Sequence, residues 1–177
     1  MSDRCIVFGG SFDPLHQGHT EIINFLASLD PKIRIIVIPS LKHPFKKKYS
    51  LSYESRIQLL RKKINQPNVE ISSLEAKSKI HTTAEILSYL KKECGFKFTA
   101  FVIGSDLLSE IPSWNNYKKL IKENGLIIFK RVGYDFVLTR QMTRNFTEFV
   151  SNYPNQIFIP KIEILNISST QMRNKQA

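Results

Sequence analysis

Short apolar runs alternate with amphipathic stretches along most of the chain. Runs rich in Ile, Val and Phe at Arg4–Phe8, Arg34–Pro39, Val69–Ser72, Phe98–Ile103, Leu126–Lys130 and Ile157–Ile159 read as strands. Between them, helical spacing of apolar residues appears near Gly18–Ser28, Ser52–Asn65, Thr82–Lys92, Asn115–Lys122 and Phe136–Tyr153. Ile35-Ile36-Val37-Ile38 is apolar without a break, which suits a strand covered on both faces. The alternation predicts an α/β fold: a doubly wound, mostly parallel sheet with helices on both faces. No stretch reads as a linker, so residues 1–177 are expected to form one domain.

In sheets of this kind ligands bind beyond the carboxyl ends of the strands, where strand order reverses. That directs attention to "FGGSFDPLHQGH", residues 8–19, the turn after the first strand. Three of the chain's 7 glycines (Gly9, Gly10 and Gly18) stand here, with His16 and His19 three residues apart. Gly9-Gly10 permits close backbone approach. Successive amides leading into a helix N-terminus suit an anion. The spacing is neither that of a dinucleotide-binding G-x-G-x-x-G nor that of a P-loop. Two imidazoles at a helix start can point the same way and donate hydrogen bonds to phosphate, as phosphoryl or nucleotidyl transfer requires. Zinc is the rival ligand, but neither a cysteine nor a clear third ligand accompanies the pair, so no metal site is assigned.

Composition refines this reading. The chain is 42% hydrophobic and 23% charged, enough for a core of its own. Its longest aliphatic run, Ile33 to Ile38, is interrupted by Arg34 and is too short to cross a bilayer, so no membrane partner is expected. Met1-Ser2-Asp3-Arg4 leads directly into the first strand, leaving no room for a signal peptide. Cys5 and Cys94 are far apart and lack metal-ligand spacing; two reduced thiols point to the cytoplasm. The net charge of +11 suits nucleic acid, an anionic surface or small phosphorylated molecules. Lys46-Lys47-Lys48 and Arg61-Lys62-Lys63 are the densest clusters, and the second sits where a helix dipole favours cations.

The glycine-histidine turn resembles the G-x-F-D-x-x-H-x-G-H signature of the nucleotidyltransferase superfamily of α/β-phosphodiesterases. A second signature, I-S-S-x-x-x-R, is matched by Ile167-Ser168-Ser169-Thr170-Gln171-Met172-Arg173. Serines ahead of a short helix leave amides free for phosphate, and an arginine one turn later can fork onto the same oxygens. "FVIGSDLLSEIPSW" (Phe101 to Trp114), "FKRVGYD" (Phe129 to Asp135) and "KIHTTAEILSYL" (Lys79 to Leu90) are similar to segments of nicotinate-nucleotide adenylyltransferases, in that family's order. The resemblance covers nearly the whole chain. It implies a Rossmann-like sheet and transfer of AMP from ATP to nicotinate mononucleotide, with pyrophosphate released, in NAD biosynthesis.

The resemblance also implies roles. Gly9, Gly10, Ser11, Phe12 and Gly18 would line the ATP site, with Gly104 and Asp106 beyond another strand end. His16, His19 and Arg173 would be catalytic, and Ile167, Ser168, Ser169 and Thr170 would help hold the phosphates. Lys42, Thr83, Asp106 and Trp114 would bind the pyridine nucleotide, with Trp114, the only tryptophan, stacking on the ring. The basic loop Pro39 to Ser50 would lie over the site, with His43 and Lys47 as further phosphate contacts. Arg56 is expected to form a structural ion pair. Mg2+ would accompany ATP. Where the family has S-Y-T this chain has His81-Thr82-Thr83, and it ends soon after Arg173.

Phosphopantetheine adenylyltransferase shares both end motifs and is the nearest alternative, but it lacks I-G-x-D followed by W. A non-catalytic RNA-binding domain would use the positive charge, yet no aromatic-rich RNA-reading motif is present and both histidines would go unexplained, so no nucleic-acid partner is expected. Homo-oligomerisation is left open.

Overall fold

The computed structural model describes residues 3–41, 49–78, 80–137 and 142–164. Its elements are β1 (Arg4–Gly10), α1 (Gln17–Leu29), β2 (Arg34–Pro39), α2 (Tyr53–Lys63), β3 (Val69–Ile71), α3 (Leu74–Lys77), α4 (Thr83–Lys92), β4 (Phe98–Gly104), α5 (Tyr117–Glu123), β5 (Gly125–Arg131), β6 (Met142–Thr143), α6 (Phe146–Ser151), β7 (Ile157–Phe158) and β8 (Glu163–Ile164). Two short 3-10 helices, Ser105–Leu107 and Ile111–Ser113, separate β4 from α5.

The described strands run in the order β3-β2-β1-β4-β5-β7-β6, and β8 pairs with the end of β5. All of these pairings are parallel. From β1 the chain builds outward through β2 and β3, then returns to the other side of β1 to lay down β4 and β5. The order therefore reverses between β1 and β4, and the cleft beyond their carboxyl ends is the expected ligand position.

Residue alternation along the strands makes two cores. Ile6, Phe8, Ile35, Val37, Ala100, Val102, Ile127 and Phe129 face α1, α2 and α6. Cys5, Val7, Ile36, Ile38, Phe101, Ile103, Leu126 and Ile128 face α4 and α5. Both sets are buried, so continuous apolar runs were required where a sheet facing water would show alternation.

Helix starts follow their caps. Ser52 and Thr82 each accept a hydrogen bond from the amide three residues on, at 3.1 and 3.2 Å, so α2 and α4 begin one residue later than the apolar pattern alone predicts. The Phe136–Tyr153 helix is corrected: Phe136 and Val137 are not helical, Met142–Thr143 is a strand, and only Phe146–Ser151 forms α6. Asn145 is the reason. Its side chain caps the amide of Glu148 at 3.1 Å while its own N–H donates to Thr143 Oγ1 at 3.0 Å, so a new helix starts there.

Gly125 sits where β5 passes beneath α6. A Cβ there would lie 2.5 Å from Cζ of Phe149, a fully buried ring with no room to retreat. Gly125→Ala is expected to lower unfolding free energy by about 1–3 kcal/mol through overpacking. Denaturant titration with an unchanged m value checks it; wild-type stability would contradict the packing described.

Candidate active site

The turn after β1 is held from below. Arg56, buried on α2, donates from Nη1 to the backbone oxygens of Ser11 at 2.7 Å and Ser40 at 2.9 Å. Its guanidinium lies 4.1 Å from the centroid of Tyr49. The expectation of an ion pair is thus corrected: among the described residues Arg56 serves two carbonyls and an aromatic face instead of a carboxylate. Five donors in a fixed fork suit that task. Asp13, also buried, accepts from the amides of Ser50 and Leu51 at 3.0 and 2.9 Å. Together they tie the β1–α1 turn to the segments after β2 and before α2.

Within the turn, Phe12 has a φ of 46°, an uncommon left-handed conformation for a residue with a Cβ. Its buried ring packs edge-on against Phe8 and His19. Gly10 makes space for it, since a Cβ there would stand 3.2 Å from the ring. Gly9 is different: a Cβ would meet no protein atom within 4 Å and would project into open space.

His16 precedes α1 and its ring stacks on that of His19, with centroids 3.5 Å apart. The His16 amide donates to His19 Nδ1 at 3.3 Å. A nitrogen that accepts cannot carry the proton, so neutral His19 keeps its proton on Nε2. His16 is buried and, among the described residues, its Nδ1 has no hydrogen-bond partner. An unsatisfied buried polar atom is destabilising, and a polar ligand would relieve it. Burial, aided by the positive charge of Arg131, pushes the His16 pKa down from 6.5 to about 4. Gly18 is buried in the first turn of α1.

Across the switch point, Asp106 follows the end of β4. Its carboxylate pairs with Arg131 Nη1 at 2.6 Å, and the Arg131 amide donates to Ser105 Oγ at 3.0 Å. A Cβ on Gly104 would collide with the Asp106 carboxylate, so glycine there permits the pair. Asp106, expected as a nucleotide ligand, is therefore also bound to an arginine that the sequence reading did not single out. Its signal was the K-R of "FKRVGYD".

A cavity of about 410 Å³ opens beside the turn. Gly9, Gly10, Thr83 and Trp114 all line it. Trp114 caps the second 3-10 helix and lies 6.3 Å, between centroids, from Phe101. Thr82, not Thr83, is the cap of α4, and the Glu85 carboxylate already accepts from the amides of His81 and Thr82 at 3.1 and 3.0 Å. Those amides are taken. The amides of Thr83 and Ala84, the first helical residues, have no carbonyl one turn back within the helix, and both residues line the cavity. Ser40, Glu75 and His81 line it too and were not anticipated as site residues. Lys42, His43, Lys47, Ile167, Ser168, Ser169, Thr170 and Arg173 lie outside the described residues.

A larger hollow, about 1010 Å³, lies at the opposite ends of the strands, lined by residues of both charges including Asp3, Arg4, Asp30, Lys32, Arg34 and Glu70. It lacks the glycine turn and the helix N-terminus. Among the described residues no helix is long and apolar enough to cross a membrane, and no group of three His, Cys, Asp or Glu could hold a metal ion.

The chain is similar to known proteins over most of its length. The cytidylyltransferase-like family model matches residues 7–175. A "Probable nicotinate-nucleotide adenylyltransferase" of Helicobacter pylori (strain J99 / ATCC 700824) is 37% identical over 131 residues, covering 73% of this chain and 75% of that one. A protein of the same name from Pelagibacter ubique (strain HTCC1062) is 29% identical over 94% of this chain and 90% of its own. The structure of Plasmodium falciparum nicotinic acid mononucleotide adenylyltransferase complexed with NaAD superposes with a TM-score of 0.77, covering 97% of this chain and 82% of that one. At 24% identity it shows the shared Rossmann-like fold.

The depressed His16 pKa has a consequence for stability. The unfolded chain binds a proton near pH 6.5 and the folded one only near 4, so between them the unfolded state holds more protons. The stabilisation is full above about 6.5 and is lost as pH falls through about 4. The melting temperature of wild-type protein should fall across that window more steeply than that of His16→Gln; parallel curves would contradict the burial assigned to His16.

Proposed function

This chain belongs to the cytidylyltransferase-like family and, within it, to the nicotinate-nucleotide adenylyltransferases, and we propose that it transfers AMP from ATP to nicotinate mononucleotide in NAD biosynthesis. The observation that carries the reading is the single cleft at the β1/β4 switch point. There the cavity bearing Gly9, Gly10, Thr83 and Trp114 opens at the glycine turn, and the same turn leads on to the stacked His16–His19 pair.

In this reading the acceptor's 5′-phosphate attacks the α-phosphorus of ATP in line, and pyrophosphate leaves. No protein nucleophile is required; positioning and charge stabilisation supply the catalysis. His19, with its proton on Nε2, donates to the non-bridging oxygens where charge accumulates. His16, neutral through burial, gives its unpaired Nδ1 to the bound triphosphate. The backbone of Gly9, Gly10, Ser11 and Phe12 and the start of α1 at Gly18 receive phosphate and nucleoside, with Gly104 and Asp106 opposite. Asp106, steadied by Arg131, accepts from ribose hydroxyls. Ile167, Ser168, Ser169, Thr170 and Arg173 hold the leaving pyrophosphate, with Arg173 forked onto its oxygens. The pyridine stacks on Trp114 and directs its carboxylate to the opening amides of α4 at Thr83, while Lys42 approaches its phosphate.

A divalent cation accompanies ATP in reactions of this type. We assign Mg2+, which phosphate oxygens and water would hold, because the site's donors are imidazoles and amides, and among the described residues carboxylates are not grouped to form a cage. We place the enzyme in the cytoplasm.

A coupled pyrophosphate-release assay with ATP tests the assignment. Nicotinate mononucleotide should support turnover; turnover with phosphopantetheine alone would overturn the substrate. His19→Ala is expected to lower kcat by about 10²-fold or more with the fold intact, the size of effect seen when one charge-stabilising donor is removed. Near wild-type turnover in that variant would refute the role. Trp114→Ala should raise KM for the pyridine nucleotide and spare ATP; equal effects on both would contradict stacking.

A further inference from the structure

One acidic group in the pyridine cavity has no part in the chemistry above. Glu75, on the single-turn helix α3, is 5% exposed and lines the cavity together with His81, Thr83 and Trp114. One carboxyl oxygen, Oε2, accepts from the amide of Leu41 at 2.8 Å, which fixes the side chain against the end of β2. No ion pair to Lys, Arg or His engages it among the described residues. A carboxyl group in the wall of a pocket meant for a pyridine carboxylate calls for an explanation.

We propose that Glu75 is a specificity-determining residue: its charge state sets how strongly the cavity prefers a pyridine carboxylate over the neutral carboxamide. This rests on the cavity being the pyridine site. When Glu75 is ionised, its negative charge opposes the carboxylate of nicotinate mononucleotide and leaves the amide of nicotinamide mononucleotide unopposed, or accepts from its N–H. When Glu75 is protonated the repulsion vanishes, and the carboxyl can donate to the substrate's carboxylate. Burial raises its pKa above the ordinary carboxylate value, opposed by the Leu41 hydrogen bond and by the charges of His81 and Arg56, so the neutral form persists to higher pH than in an exposed glutamate.

Among the described residues, the groups that face Glu75 are few. Tyr53 and Arg56 approach from α2 and His81 from the segment before α4, while Glu110 shares the cavity. Arg56 stays charged throughout. Burial pushes the Tyr53 hydroxyl upward, above its usual value of 10. His81 lines the same cavity as Glu75 and calls for its own control. Both substrates carry the same 5′-phosphate, so its titration cancels in a ratio of affinities.

Trp114, the only tryptophan, lines the cavity and supplies a readout independent of turnover. Its fluorescence is titrated with nicotinate and nicotinamide mononucleotide without ATP, from pH 5.5 to 8.5, in wild type, Glu75→Gln and His81→Gln. Glutamine keeps an oxygen for the Leu41 amide but carries no charge. The affinity ratio, acid over amide, should fall with rising pH in wild type and in His81→Gln. In Glu75→Gln it should be raised at the upper end by about tenfold, the scale of one charge acting across a partly screened pocket. A ratio that keeps its full pH dependence in Glu75→Gln, or loses it in His81→Gln, overturns the proposal. So does Glu75→Gln weakening both ligands equally, as a merely structural wall residue would. Should that variant not fold, a pH-independent ratio in His81→Gln still overturns it. The pyrophosphate assay keeps the two readings apart: turnover with an unmoved ratio rejects the role of Glu75 alone, whereas no pyridine-dependent turnover rejects the enzyme assignment itself.

Discussion

The site depends on a buried arginine. Arg56 reaches from α2 to the carbonyls of Ser11 and Ser40, and so fixes the turn after β1 to the end of β2. Without that bridge, the Gly9–His19 segment would be a glycine-containing loop with many conformations and little ability to hold a phosphate. Burying a guanidinium is costly unless its donors are satisfied. Two carbonyls, both reached from Nη1, and the Tyr49 ring meet part of that demand here, while Nε has no hydrogen-bond partner among the described residues. Asp13 provides the matching bridge, accepting from amides at Ser50 and Leu51, ahead of α2. A turn anchored from both sides can then carry strain such as the left-handed Phe12, and can keep His16 stacked on His19 with the latter's proton on the outer nitrogen. Reorganisation avoided at this stage is what makes fixed donors effective in catalysis.

Topology decides what the anchored turn faces. Because strand order reverses between β1 and β4, the glycine turn stands next to Gly104, Ser105 and Asp106 and not behind a crossover helix. The Asp106–Arg131 pair draws β5 into the same cleft, and the charge of Arg131 reaches His16. On the other side, α4 turns its N-terminus and the second 3-10 helix turns Trp114 into one cavity with Gly9 and Gly10. On the proposed function, a nucleoside triphosphate and a pyridine nucleotide would take adjacent places, the arrangement a transfer between them requires. On the same proposal Glu75, when ionised, would oppose the acid substrate.

Much of this was legible in the residues. Uninterrupted runs such as Ile35–Ile38 indicated a sheet covered on both faces, and both core clusters agree. The glycine-histidine turn and the lone tryptophan pointed to one site, and Gly9, Gly10, Thr83 and Trp114 share one cavity. Much of what escaped was set by partners distant in sequence. Arg56 looked like half of an ion pair because its true acceptors are backbone oxygens 45 and 16 residues away, which carry no side-chain signature. Glu75 was not singled out, because its burial follows from packing. The final helix was drawn too long because Phe136, Phe146, Phe149 and Tyr153 keep an apolar rhythm, whereas the Thr143–Asn145 cap that starts α6 is a local hydrogen-bond pattern. Arg131 was quoted within a motif, but its role follows from an ion pair across the strand ends.

The central claim is that the β1/β4 cleft holds both substrates at once, with phosphates at the histidines and pyridine at the tryptophan. A crystal structure with a non-hydrolysable ATP analogue and nicotinate mononucleotide measures this directly. The account predicts phosphate oxygens within hydrogen-bonding distance of both His19 Nε2 and Arg173, and a pyridine ring stacked on Trp114. Nucleotide bound instead in the hollow at the amino ends of the strands, or phosphates reached by only one of those two side chains, would contradict it.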